Sequence, residues 1–173
     1  NFMSKKISIA IDAMGGDNSP DKTIEGIKLF LDKNSKKNDF IINIFGNEDA
    51  INDKLRKYKI NFDYVNIIHT STIVSDEETP LTAIKNSKNT SMWKCIQHQL
   101  QGKSDISLSA GNTGVLLVIS RMILKMMKEV NKPALAGLWP SQKGNTVVLD
   151  LGANIECNDQ NLIDFAELGS ALY

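Results

Sequence analysis

Apolar and polar positions alternate at the start of the chain, with Ile7, Ile9 and Ile11 two residues apart. That period of two predicts a strand. It ends in Asp12-Ala13-Met14-Gly15-Gly16-Asp17. Ser19-Pro20 then reads as an N-cap and a first-turn proline, and Ile24, Ile27, Phe30 and Leu31 mark the buried face of a helix running to about residue 34. Residues 40–45 predict a second strand and Gly46-Asn47 its turn. Glu48-Asp49 reads as the acidic first turn of a helix that buries Ile51 and Leu55. Residues 64–69 give a third strand. The polar stretch 70–80 follows, with Asp76-Glu77-Glu78 read as a solvated loop, and helices are expected over 80–86 and 89–100, the second stopping at Gly102.

The fourth strand, Ile106-Ser107-Leu108-Ser109, runs through Ala110-Gly111-Asn112-Thr113-Gly114 into an apolar helix expected over 113–130, ended by Pro133. A strand that turns tightly into a helix presents unpaired N–H groups and the positive end of the helix dipole, which favours an anion. Residues 134–139 and 146–151 predict two further strands. The turn between them is too short for a crossover helix, so they are expected to pair as an antiparallel hairpin in an otherwise parallel sheet. A last helix is expected from about 158–161, with Phe165, Leu168 and Leu172 on one face. This rhythm predicts one α/β domain over residues 4–173, a mainly parallel twisted sheet with helices on both faces. The sequence stops in mid-helix without a C-cap, as expected for the N-terminal portion of a longer protein, and Asn1-Phe2 ahead of Met3 reads as a cloning remnant.

Charge changes the picture by exclusion. Twenty Lys and Arg balance twenty Asp and Glu over 173 residues, so the overall field favours no nucleic acid partner. Cys95 and Cys157 share no metal-ligand spacing with His69 or His98 and read as buried thiols in a reducing cytoplasm, with no metal site expected. No run approaches the roughly 20 apolar residues of a membrane span, and no signal-peptide core is present. Trp93 and Trp139 read as core anchors.

Three loops that follow strands share a composition: Asp12 to Asp17, Ser109 to Gly114, and Asp150-Leu151-Gly152-Ala153-Asn154. Each alone is ordinary Gly and Asx turn chemistry. Ligands of open parallel sheets bind at the carboxyl ends of strands, so the three are expected to converge on one crevice. None is a dinucleotide fingerprint or a P-loop. Lys85 and Lys88 precede Thr90-Ser91, and Lys85 is a candidate charge for an anion. Arg121, Lys125 and Lys128 form a basic stripe on the fourth-strand helix, whose Leu116, Ile119, Met122, Ile123 and Met126 read as packing surface.

Taken together, the three loops in this order and spacing closely resemble the PlsX phosphate acyltransferases of bacterial phospholipid synthesis. Thr90-Ser91-Met92 and Phe165-Ala166-Glu167-Leu168-Gly169-Ser170 extend the similarity over essentially the whole chain, which corresponds to about the N-terminal half of a family-length protein. The resemblance implies a three-layer α/β/α sandwich like those of isocitrate dehydrogenases and phosphotransacetylases, usually a homodimer. It implies transfer of a fatty acyl group from acyl carrier protein to inorganic phosphate without a cofactor, in the cytoplasm and peripherally on the inner face of the cell membrane. The acyl phosphate then feeds a glycerol-3-phosphate acyltransferase at the membrane. On this reading Asn112, Thr113 and Lys85 are the catalytic candidates. Asp12, Gly15, Gly16, Asp17, Ser109, Gly111, Gly114, Asp150, Gly152 and Asn154 line the substrate and phosphate site. Because phosphate is itself the nucleophile, the site needs an oriented phosphate and N–H donors for the developing oxyanion rather than an attacking side chain.

Three other readings compete at this stage. A coenzyme-A-dependent phosphotransacylase would use free coenzyme A thioesters, and a non-catalytic scaffold would bind carrier protein without turnover. A metal-dependent phosphatase would use Asp12, Asp17 and Asp150.

Overall fold

The computed structural model describes residues 6–34, 39–75, 79, 82 and 85–173. The expectations for residues 1–2, for Asp76 to Glu78 and for most of the helix over 80–86 lie outside the described residues. The chain divides into two compact units, residues 1–124 and 125–173.

The first unit is built on four parallel strands in the order β3-β2-β1-β4: β1 (Ile7–Asp12), β2 (Phe40–Gly46), β3 (Val65–His69) and β4 (Ile106–Ser109). Its helices are α1 (Asp21–Lys33), α2 (Glu48–Lys57), α3 (Ser91–Leu100) and α4 (Thr113–Leu124). Alternation along β2 fixes the layers. Ile42 and Ile44 share a cluster with Ile24, Ile27 and Leu31 of α1 and Ile51 and Leu55 of α2. Phe45 points the other way, clustering with Ala10 and with Cys95 of α3. On that second side Met92 and Ile96 of α3 pack with Val115, Ile119 and Ile123 of α4. Helices therefore cover both faces of a parallel sheet, the predicted α/β sandwich.

The structure adds side-chain caps at the starts of two helices. Asn47 caps α2 by accepting from Ala50 N, and Thr90 caps α3 by accepting from Trp93 N. Ser19, expected to cap α1, does not: Pro20 occupies the cap position without a side-chain bond, and the Ser19 hydroxyl turns back to the Gly15 and Gly16 carbonyls. The fourth-strand helix ends at Leu124, not near residue 130, because Lys125 takes a left-handed backbone, φ 63°. Of the basic stripe only Arg121 is helical.

The second unit holds a hairpin, β5 (Gly137–Ser141) with β6 (Gly144–Val148), and α5 (Asp159–Leu172). The hairpin is antiparallel, as predicted, but its strands pair with each other in a separate two-stranded sheet rather than extending the parallel one. They also run through the expected turn, Pro140 opposite Asn145, leaving only Gln142 and Lys143 to reverse the chain. Asn158 and Asn161 form a reciprocal capping box at the start of α5. Phe165 is buried and Leu172 exposed. Trp139 is 63% exposed and Cys157 is exposed, so neither is the core residue its type suggested, whereas Cys95 is buried. Among the described residues no helix is long and apolar enough to cross a membrane.

Candidate active site

Register brings the first two loops together. Asp12 stands opposite Ser109 where parallel β1 and β4 end. Asp12 is 2% exposed. Its Oδ2 accepts from Ser109 Oγ at 2.7 Å and its Oδ1 from Met14 N at 3.1 Å, while Ser109 Oγ accepts from Gly111 N at 3.2 Å. One carboxyl group thus fixes both loops, and its burial is tolerable because each oxygen has a partner. Asp12 and Ser109 act here as a brace, with their polar atoms turned to the protein.

The braced loops touch through backbone. A Cβ on Gly15 would lie 2.7 Å from Gly111 N and 2.8 Å from Asp12 Oδ2, and one on Gly16 would lie 2.7 Å from Ala110 O. Gly16 also has φ +85°. These glycines are required by close approach and backbone sign, not by generic loop preference. Gly111 in turn faces the Met92 Cε, 2.9 Å from where its Cβ would stand, which sets the first turn of α3 beside the start of α4. Two helix N-termini therefore flank the paired loops.

Asn112 is the cap of α4: its Oδ1 accepts from Val115 N at 3.1 Å and its carbonyl from Leu116 N at 2.9 Å. The N–H groups of Thr113 and Gly114, in the first turn, have no acceptor within the helix. Thr113 and Asp17 are exposed. Lys85 is exposed in the segment leading to the Thr90 cap, where Thr90 Oγ1 donates to Ser87 O at 2.7 Å. Ser87 is fully buried, and its Oγ has no partner among the described residues.

The third loop belongs to the second unit and is organised internally. Asp150 Oδ2 accepts from Asn154 N and Asn154 Nδ2, each at 3.0 Å, and Oδ1 accepts from Leu135 N at 3.3 Å. Burial pushes the Asp150 carboxyl up, but the Asn154 side chain and the Asn154, Leu135 and Ala153 N–H groups outweigh it and hold it below its ordinary value. Asn154 Nδ2 also donates to Pro133 O at 2.7 Å, and Gly152 has φ +79°. Asp150 and Asn154 resemble Asp12 and Ser109 in role, an acceptor that ties its own loop.

Sequence reasoning missed two features beside the first two loops. One is Ser19, whose place before Pro20 carries the signal of a helix cap. The other is an apolar cavity of about 370 Å³ lined by Ile9, Ile11, Ile27, Phe30 and Leu108 and reaching Asp12, Ser109 and Ala110. Cys95 is a weak nucleophile: burial first, and then the Asp12 charge, push its thiol up to about 12, which keeps it protonated.

Comparison with known proteins decides the family. The sequence profile of a family described as fatty acid synthesis protein matches residues 7–173. The chain belongs to this family, the PlsX family its loops resemble. It is 51% identical to the phosphate acyltransferase of Pelagibacter ubique over 99% of this chain and 50% of that protein. It is 39% identical to that of Ehrlichia ruminantium, over 99% of this chain and 50% of that protein. The identity to the Azorhizobium caulinodans enzyme is 37%, over 98% and 47%. The chain spans about half the length of these curated relatives.

Proposed function

We propose that the protein transfers a fatty acyl group from acyl carrier protein to inorganic phosphate, giving acyl phosphate for phospholipid synthesis. The observation that carries this reading is the backbone contact of Gly15 and Gly16 with Ala110 and Gly111, at the carboxyl ends of β1 and β4 and beside the start of α4. Such a junction offers N–H donors and a helix dipole to an anion. A phosphate oxygen attacks the thioester carbonyl carbon, the new C–O bond forms as the C–S bond breaks, and the carrier thiolate leaves and takes up a proton. Catalysis of that step needs positioning and oxyanion donors, with one donor typically contributing about 2.7–4 kcal/mol.

Thr113 and Gly114 N–H groups, with the Asn112 cap fixing their direction, are the donors on this reading, and Lys85 supplies charge. The apolar cavity against Ser109 and Ala110 suits a hydrocarbon chain better than a polar donor. Membrane association, a homodimer and delivery of product to a glycerol-3-phosphate acyltransferase belong to the same proposal. The test is to incubate the complete protein with acyl carrier protein thioester and phosphate and to capture acyl phosphate with hydroxylamine. Product that requires phosphate supports the reading; carrier protein binding without product, beside a competent control enzyme, refutes it.

A further inference from the structure

We infer that Ser19 is a positioning residue that shapes Gly15-Gly16-Asp17 into a second phosphate-binding element, distinct from the N-terminus of α4; this rests on the phosphate reading above. Ser19 Oγ lies 2.5 Å from Gly15 O and 2.7 Å from Gly16 O. A hydroxyl has one proton, so the two carbonyls share it and both must aim at the same point. Across a trans peptide the N–H points opposite to the C=O. Aiming the Gly15 and Gly16 carbonyls at Ser19 therefore turns the N–H groups of Gly16 and Asp17 together to the other side.

Gly16 has φ +85°, the left-handed backbone that lets successive N–H groups converge. Consecutive N–H groups so arranged form a concave anion site. The same loop is held against Ala110 and Gly111, so the element is fixed to the loop that precedes Asn112. Ser19 is half-buried and sits outside the three loops that carry the family resemblance. Its effect on an anion runs entirely through the peptide groups it orients.

The test is amide NMR of the protein titrated with inorganic phosphate. The Gly16 and Asp17 amide resonances shift with the same saturation curve as those of Thr113 and Gly114. In Ser19→Ala the phosphate dissociation constant read at Gly16 and Asp17 rises about tenfold, and Ser19→Thr, which keeps the hydroxyl, restores it. In turnover by the complete protein the loss appears in the KM for phosphate more than in kcat. Shifts at Thr113 and Gly114 with Gly16 and Asp17 unmoved overturn the inference and leave the phosphate reading standing. No phosphate-dependent shift at either place overturns both. If Ser19→Ala fails to fold, the wild-type titration still decides whether Gly16 and Asp17 bind phosphate, and Ser19→Cys, which keeps the size but weakens the donor, decides the role of Ser19: an unchanged dissociation constant at Gly16 and Asp17 overturns it.

Discussion

The Ser109 hydroxyl donates to Asp12 Oδ2 over 2.7 Å, joining the ends of two parallel strands that lie 97 residues apart in sequence. This bond and the Gly15 to Gly111 contact make one rigid unit of two loops that composition alone presents as separate turns. Removing the hydroxyl deprives a buried carboxylate of a donor, a loss of about 1–3 kcal/mol. Ser109→Ala is expected to lower stability by that amount in urea denaturation, and Ser109→Thr to lower it by less.

Gly15 tests the packing rather than the bond. An added methyl meets Gly111 N and Asp12 Oδ2, backbone and a braced side chain that have no free direction to move. Gly15→Ala is expected to cost about 1–3 kcal/mol, as overpacking does. Gly102→Ala, with open space around it but φ +68°, separates backbone strain from collision in the same denaturation series.

Gly26 supplies the opposite case. It lies within α1, lines the apolar cavity, and a Cβ there meets nothing within 4 Å. Gly26→Ala is expected to raise stability by about 0.5–1 kcal/mol, read as a higher denaturation midpoint. If the cavity receives the acyl chain, Gly26→Leu lowers turnover of long-chain donors several-fold more than that of short-chain donors.

His98 sets a pH dependence. Its Nδ1 lies 2.8 Å from Ser104 Oγ, within a polar network that includes Ser8, Asn43 and Asn66 across β1, β2 and β3. Burial first, and then the Lys103 charge, depress the pKa of its ring. A histidine with a lowered folded pKa binds its proton more readily when unfolded, so stability falls as pH drops through the ordinary histidine value of about 6.5 toward the folded one. The Tm is expected to fall between pH 7.5 and 5.5, and His98→Gln to flatten that slope, by calorimetry.

What was legible in the sequence was what period and composition encode. Ile7, Ile9 and Ile11 announce a strand, and the Asp12 and Ser109 loops announce their own importance. Partners were not legible. Nothing in Ser19-Pro20 distinguishes a cap from a hydroxyl that reaches backwards, because both need the same small donor at the same place. The early end of α4 rests on a lysine in the left-handed region, where no glycine or proline gives notice. Trp139 lies on a two-stranded hairpin, and a pattern of alternating residues fixes the faces of a strand without fixing which sheet it joins. The glycine requirement at Gly15 and Gly111 is likewise tertiary, since it arises from a contact between distant loops.

The Asn112 cap separates structure from catalysis at one position. Asn112→Ala loses a cap, costing about 0.5–2 kcal/mol, whereas Asn112→Ser keeps a good one. Stability is expected to follow that order in chemical denaturation, while turnover falls at least tenfold in the alanine variant. Turnover unchanged in a folded Asn112→Ala protein removes Asn112 from the site.

In the proposed reaction phosphate itself is the nucleophile. The most direct measurement of that role is the intact mass of the complete protein and of its products after mixing with acyl carrier protein thioester, first without phosphate and then with it. With phosphate as the nucleophile, no acyl adduct forms on the protein without phosphate, and acyl phosphate appears with free carrier thiol once phosphate is added. An acylated protein in the absence of phosphate, or thioester that stays intact in its presence, contradicts that role.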